Sequence, residues 1–186
     1  MKPIARWAPP ELVAAALSGD EAAIEELVAA VWPGCFRLAA SVIGDRNLAQ
    51  DAAQEACVIL HRNVRSLRHV GAFDAWLYRI VMRESARIRR RHERTGQPRY
   101  KERFESDDAT SLDVWRALAA LPPELRDVTV LFYFDDLKSD EIAWILGVAH
   151  ATIRTRLGRA RQRLRSLLDD YGSMQPKAKE VEQHGF

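Results

Sequence analysis

From Ser139 to Leu168 the chain reads SDEIAWILGVAHATIRTRLGRARQRLRSLL: an acidic start, a compact apolar segment, one glycine, then six arginines with no carboxylate among them. Nothing here alternates with the two-residue period of a strand. The spacing predicts a short helix over Asp140–Leu146, a tight turn at Gly147-Val148-Ala149, and a second helix from His150 to Leu168. Two helices joined by a three-residue turn containing Gly form a helix-turn-helix. On the second helix Ile153, Leu157, Ala160, Leu164 and Leu168 recur as a stripe to be buried. At about 100° per residue, the opposite face carries Ala151, Thr155, Gly158, Arg159 and Gln162, flanked by Arg154. A helix with such a face suits the DNA major groove. Arg154 or Arg159 can offer a bidentate fork to guanine, while Arg161 and Arg165 suit phosphates. Gly158 costs about 1 kcal/mol of helix propensity relative to Ala and leaves the backbone bare for a close approach.

The formal net charge of +2 conceals segregation along the 186 residues. Residues 1–61 carry a net −4, 62–103 +9, 104–147 −7, 148–167 +6 and 168–186 −2. Two basic blocks alternating with acidic ones imply two separate contact surfaces for a polyanion, nucleic acid first among them.

The rest of the chain reads as helices. Glu11–Leu17 and Ala22–Val31 flank SGDE, where Ser18 or Asp20 can cap the second helix. A break is expected at Trp32-Pro33-Gly34, then a helix over Cys35–Ile43 and another from Leu48 to about Asn63, with Leu48, Ala52, Cys57 and Leu60 inward. After the basic loop RSLRHVGAF, a long helix runs from Phe73 to Arg91. Its Phe73, Trp76, Leu77, Ile80 and Val81 share one stripe, which places Trp76 in the core. Residues 92–111 are polar and without sustained periodicity, the best domain boundary. Helices over Leu112–Ala120 and Glu124–Phe134 flank Pro122-Pro123, and Tyr171–Phe186 reads as a tail. The expected fold is all-α, with two small helical domains: 1–92, a linker at 93–111, 112–170 carrying the helix-turn-helix, and a disordered tail at 171–186.

Composition and motifs exclude several classes. No apolar run is expected to reach the roughly 20 residues that span a bilayer, and the N-terminus lacks a signal-peptide core, so the expected location is the cytoplasm. Cys35 and Cys57 have neither CxxC spacing nor a histidine cluster beside them, which makes them buried reduced thiols rather than metal ligands. The five histidines are scattered, and no carboxylate pair or nucleophile motif is present. No enzyme activity, cofactor, metal or small-molecule substrate is expected.

The ordered combination of ELVAAALSGDEAAIEELVAAVWPGCFRLAASVIGD, AQDAAQEACVILHRNV, AFDAWLYRIVMRESARIRRR and LPPELRDVTVLFYFDDLKSDEIAWILGVAHATIRTRLGRARQRLRSLL resembles the extracytoplasmic function (ECF) group of the sigma-70 family. The likeness covers roughly residues 11–168. It implies sigma regions 2 and 4, binding to core RNA polymerase through its β and β′ subunits, recognition of −10 and −35 promoter elements, help in opening the duplex, and restraint by an anti-sigma factor. For polymerase binding it points to Asp51, Gln54 and Glu55, with Arg62 and Asn63. For the −10 element it points to Arg65, Arg68, His69, Phe73, Arg83, Arg87, Arg90 and Arg91. For the −35 element it points to Ala151, Thr152, Arg154, Thr155, Gly158, Arg159 and Gln162. Arg83 stands where relatives often carry Asn and His61 where they often carry Trp. The alternative class is a conventional helix-turn-helix repressor or activator, which needs a dimer interface and symmetric half-sites. No heptad seam supplies one, and the basic block at 79–94 has no use in it.

Overall fold

The computed structural model describes residues 7–94 and 109–174. Among the described residues every regular element is helical: α1 (Pro10–Ser18), α2 (Glu21–Ile43), α3 (Arg46–Asn63), α4 (Phe73–Arg94), α5 (Ala109–Ala120), α6 (Pro123–Tyr133), α7 (Ser139–Leu146) and α8 (His150–Met174), with single 3-10 turns at Val64–Ser66 and Val70–Ala72.

Local chemistry sets the helix ends. Asp20 and Asp45 cap α2 and α3 by accepting the N–H of Ala23 at 3.2 Å and of Leu48 at 3.0 Å, each satisfying a donor that the first turn leaves without a partner. Ser18 does not cap α2; its hydroxyl donates to Ala15 O instead. Gly19, Gly44 and Gly147 close α1, α2 and α7 with φ of 94°, 76° and 66°, a region that favours glycine.

The expected break at Trp32-Pro33-Gly34 is absent: α2 runs through it. Proline costs this helix one backbone hydrogen bond, and the neighbouring glycine supplies a reason for the segment. A Cβ on Gly34 would lie 2.6 Å from the Trp7 ring, so the bare backbone is a cradle for that indole. The Trp7 ring also meets Tyr78 edge-on at 4.8 Å, and the backbone N–H of Trp7 donates to Asp74 Oδ1 at 3.2 Å. The N-terminal strap thus crosses α2 and ties down the start of α4.

In length and composition α2 is apolar enough to cross a membrane, contrary to the expectation from the sequence. Half of that stretch is buried in the fold, where Ile24, Leu27, Val31, Cys35, Leu38 and Val42 belong to the main core. The partner face of α3 is almost all alanine, with Ala49, Ala52, Ala53 and Ala56 buried beside Cys57 and Leu60. Such small side chains let α2 and α3 approach closely. Leu48 is only partly buried.

The main core continues from α1–α4 into Val128, Leu131, Leu137, Ile142, Ile153 and Leu157 of the C-terminal helices. A smaller cluster of Leu118, Leu121, Leu125 and Ala160 joins α5 to α8. Leu164 and Leu167 pack on it, whereas Leu168 is 37% exposed and does not extend the stripe. Leu167 and Leu168 flank the stripe on opposite sides, and the α5 cluster takes Leu167.

Helix α4 runs to Arg94 and α5 begins at Ala109, three residues beyond each expected limit. The remainder of the expected linker, 95–108, lies outside the described residues, as does the expected tail from 175 onward. Helix α8 reaches Met174, into the stretch read as tail.

Candidate nucleic-acid interface

The helix-turn-helix is formed by α7 and α8. The N–H of Gly147 reaches Ala143 O and Trp144 O, and that of Val148 reaches Ala143 O at 3.0 Å, closing α7 within one turn. Ile142, Ala143 and Ile145 share the main core with Ile153 and Leu157, while Ala160 packs in the α5 cluster, and together these fix the rotation of α8. Ala151, Arg154, Thr155, Gly158, Arg159 and Gln162 are all exposed, and Thr152 is half-buried at the edge. A Cβ at Gly158 would meet nothing within 4 Å, so packing does not require this glycine. The Thr155 hydroxyl donates to Ala151 O at 3.0 Å and keeps acceptor capacity outward.

The first basic block is arranged differently. Arg68 and His69 project from the loop, and Arg83, Arg90 and Arg91 are exposed along α4. Arg65, half exposed, pairs with Glu21 and reaches back to Gly19 O at 3.4 Å, so it also pins the loop to the α1–α2 turn. Phe73 is 1% exposed. As the first residue of the α4 stripe it fills the core and presents no ring to a base, which corrects its place among the −10 candidates. Trp76 is partly buried against the core beside Phe73.

On α3, Asp51, Gln54 and Glu55 are exposed on one face, and His61, Arg62 and Asn63 follow at its end. The Asn63 amide donates to Ile59 O at 2.9 Å, closing the last turn. The three acidic-face residues line an open depression together with Leu48, Arg87, Ile88, Arg91 and His92. Arg87 lies 3.8 Å from Glu55 and also pairs with Glu84. Two arginines assigned to DNA are therefore adjacent to the face assigned to polymerase.

The polar seam between α2–α4 and α5–α7 has no local signature in the sequence. Arg126, 2% exposed, donates to Val42 O at 3.2 Å and Ile43 O at 3.4 Å at the end of α2. It also reaches Leu118 O at 3.0 Å, Ala119 O at 2.7 Å and Leu121 O at 3.1 Å at the end of α5. One guanidinium thus serves the carbonyl ends of two helices, where the dipole favours a cation. Arg89 of α4 grips Asp127 of α6 with both nitrogens, at 3.3 and 3.4 Å, and donates to Val42 O at 3.2 Å. Burial pushes the Asp127 carboxyl up despite the opposing pull of Arg89. Asp135, in the α6–α7 loop, faces Tyr78 of α4 and Arg37 of α2, and burial pushes it up to about 6. Arg79 lies over the Trp144 ring, 4.9 Å from its centroid. The sequence of α4 is basic throughout its second half, and the three-dimensional pairing shows which of its arginines are held within the fold.

Cys35 and Cys57 are buried, and they neighbour each other across α2 and α3. The Cys57 side chain and burial push the Cys35 thiol up, which keeps it protonated and unreactive. Among the described residues no group of three His, Cys, Asp or Glu side chains is placed to hold a metal.

Comparison with known proteins agrees with this geometry. The family model for sigma-70 region 2 matches residues 27–95, and that for sigma-70 region 4 matches 111–164. The chain is 33% identical over 172 residues to the ECF RNA polymerase sigma factor SigE of Mycolicibacterium smegmatis, spanning 84% of this chain and 66% of that protein. It is 34% identical over 164 residues to the ECF RNA polymerase sigma factor SigM of Mycobacterium tuberculosis, spanning 85% and 83%. The solved structure of CnrH in complex with the cytosolic domain of CnrY superposes with a TM-score of 0.67 at 26% identity, over 87% of this chain and 97% of that one. The chain belongs to the sigma-70 family, in its extracytoplasmic function group. Its function is that of a sigma factor directing RNA polymerase to promoters.

Proposed function

We propose that the two helical units divide this work, residues 1–92 engaging core polymerase and the −10 element, residues 112–170 the −35 element, with 93–111 as the connector. The observation that carries the division is the outward face of α8: Arg154, Thr155, Gly158, Arg159 and Gln162 are exposed together, while the α7 contacts hold the opposite face. Arg154 and Arg159 read bases, Ala151, Thr152 and Gln162 border the contact, and neighbouring arginines neutralise phosphates. Arg68, His69, Arg83 and Arg90 form the −10 surface, with Arg65 holding its loop, and Arg87 and Arg91 lie where that surface meets the polymerase face.

Asp51, Gln54 and Glu55 dock on β′, with Arg62 and Asn63 at the margin. The groove between α5, α6 and α8, where Tyr133 and Phe134 are 51% and 48% exposed, serves β. An anti-sigma protein covering the same faces would keep the factor inactive. This work takes place in the cytoplasm, where polymerase and promoter are, and it assigns no catalytic residue, cofactor or membrane insertion.

Gel filtration with bacterial core RNA polymerase tests the reading. The chain co-elutes with core and supports run-off transcription, whereas Asp51→Lys with Glu55→Lys lowers core affinity at unchanged helical content. A protein that stays apart from core but binds duplex DNA alone is a conventional helix-turn-helix regulator, and the assignment of α3 fails with it.

A further inference from the structure

The loop between α3 and α4 has little to hold itself in shape. Its turns Val64–Ser66 and Val70–Ala72 are three residues each, and 3-10 runs so short have poor hydrogen-bond geometry. Helix α1 packs against both turns, and Leu67 and Val70 rest on the main core beside exposed Arg68 and His69. Both ends of the loop are tied to the N-terminal segment. Arg65 pairs with Glu21 and reaches Gly19 O at the α1–α2 turn. At the other end Asp74, the second residue of α4, accepts the backbone N–H of Trp7 at 3.2 Å. The Trp7 ring lies in the space left bare at Gly34 and against Tyr78. Its indole N–H is buried without a hydrogen-bond partner among the described residues, so shape rather than polarity seats the ring. Ala8 is buried next to it, and Pro9 and Pro10 lead directly into α1. Two prolines of fixed φ leave little slack between the seated ring and the helix.

From this arrangement we infer that Trp7 is a positioning residue for the −10 loop: wedged between α2 and α4, it fixes α1, and α1 holds the loop that presents Arg68 and His69. The inference rests on the proposed function, which places those two side chains on the −10 surface. Trp7 touches no DNA in this scheme. Its effect is that the loop is already ordered when DNA arrives, so less conformational entropy is lost on binding. Gly34 belongs to the same device, because any side chain there would displace the ring.

Amide hydrogen exchange on the free full chain, together with promoter opening by the reconstituted holoenzyme, tests this. The promoter is one recovered by run-off transcription with the wild-type factor, and permanganate reads its unpaired thymines. Trp7→Ala raises exchange across 64–74 on the order of tenfold and leaves α3 and α8 at wild-type protection. It lowers promoter opening to a similar degree with core binding unchanged. Trp7→Phe keeps an aromatic ring in the cradle without the unpaired N–H and restores both readings. Gly34→Ala puts a methyl group 2.6 Å from the ring and reproduces Trp7→Ala from the far side of the contact; with Trp7 already removed, it adds nothing to the loss. A loop that stays protected in Trp7→Ala overturns the inference, as does exchange that rises equally along the whole chain. Wild-type opening by a chain whose loop has loosened overturns it too, and so does opening that falls as far in Trp7→Phe as in Trp7→Ala. If the loop loosens as expected but the wild-type chain does not bind core polymerase, the hold of Trp7 on the loop stands and the sigma reading falls.

Discussion

Helices α4 and α8 look alike as sequences, each carrying a dense set of arginines, yet the fold uses them in opposite ways. Helix α8 has one buried stripe and one free face, and no ion pair draws Arg154 or Arg159 back toward the protein among the described contacts. Helix α4 is buried on two sides. Arg89 is tied to Asp127, Arg87 to Glu84 and Glu55, and Arg79 lies against Trp144. Charge density therefore measures DNA-binding capacity on α8 and overstates it on α4. The lesson is that a cation counts toward a polyanion site only after its partners inside the fold have been subtracted.

The comparison can be strained most at Arg126, which donates to carbonyls of both units. Arg126→Ala leaves carbonyls at the ends of α2 and α5 without their donor, and a lost charged hydrogen-bond network of this kind costs about 3–5 kcal/mol. Urea denaturation should show the loss, and it should fall more heavily on the α5–α8 unit, because three of the five acceptors belong to the α5 end. Arg126→Lys recovers only part of it, since an ammonium cannot span acceptors that a planar fork reaches together. Equal stability of wild type and Arg126→Ala would mean that water serves these carbonyls as well.

This residue also marks where sequence reasoning ends. The helix-turn-helix was legible because its information is local: one glycine at a turn and a stripe at helical spacing. The exposed face of α8 followed from the same periodicity. Arg126 sits in an ordinary amphipathic helix and Arg89 in a run of arginines, so nothing local distinguishes a buried, paired cation from a solvated one. The break expected in α2 failed for a related reason. Pro33-Gly34 carries a turn signal, but the glycine answers to Trp7, which lies 27 positions earlier, and that contact is invisible to a window of neighbouring residues. Phe73 has two readings in the sequence, a place on the α4 stripe and, by the resemblance, a place among the −10 residues; at 1% exposed it follows the stripe.

A smaller effect separates the two basic helices directly. Arg159→Ala should cost about 1–3 kcal/mol of promoter affinity and relax the choice of base at one −35 position, with core binding intact. Arg87→Ala should cost less, because its charge is already shared with Glu84 and Glu55, and should lower the salt slope of DNA binding by less than the unit expected of a free phosphate contact. Filter-binding titrations across salt concentrations compare them. Equal slopes for the two variants would show that Arg87 leaves its carboxylates when DNA arrives.

The finest distinction lies at Gly158, where stability and function make opposite demands. Open space surrounds the position where its Cβ would be, and it sits mid-helix at ordinary helical φ, so Gly158→Ala meets no clash and gains up to about 1 kcal/mol of helix propensity. If the glycine is there to let the α8 backbone approach DNA, the same methyl group stands in the groove and weakens promoter binding. Thermal unfolding and −35 affinity measured on the one variant separate the two effects. A rise in Tm with reduced affinity identifies Gly158 as a contact point that stability alone would not retain. A rise in Tm with unchanged affinity removes it from the −35 surface and leaves reading to Arg154, Thr155 and Arg159.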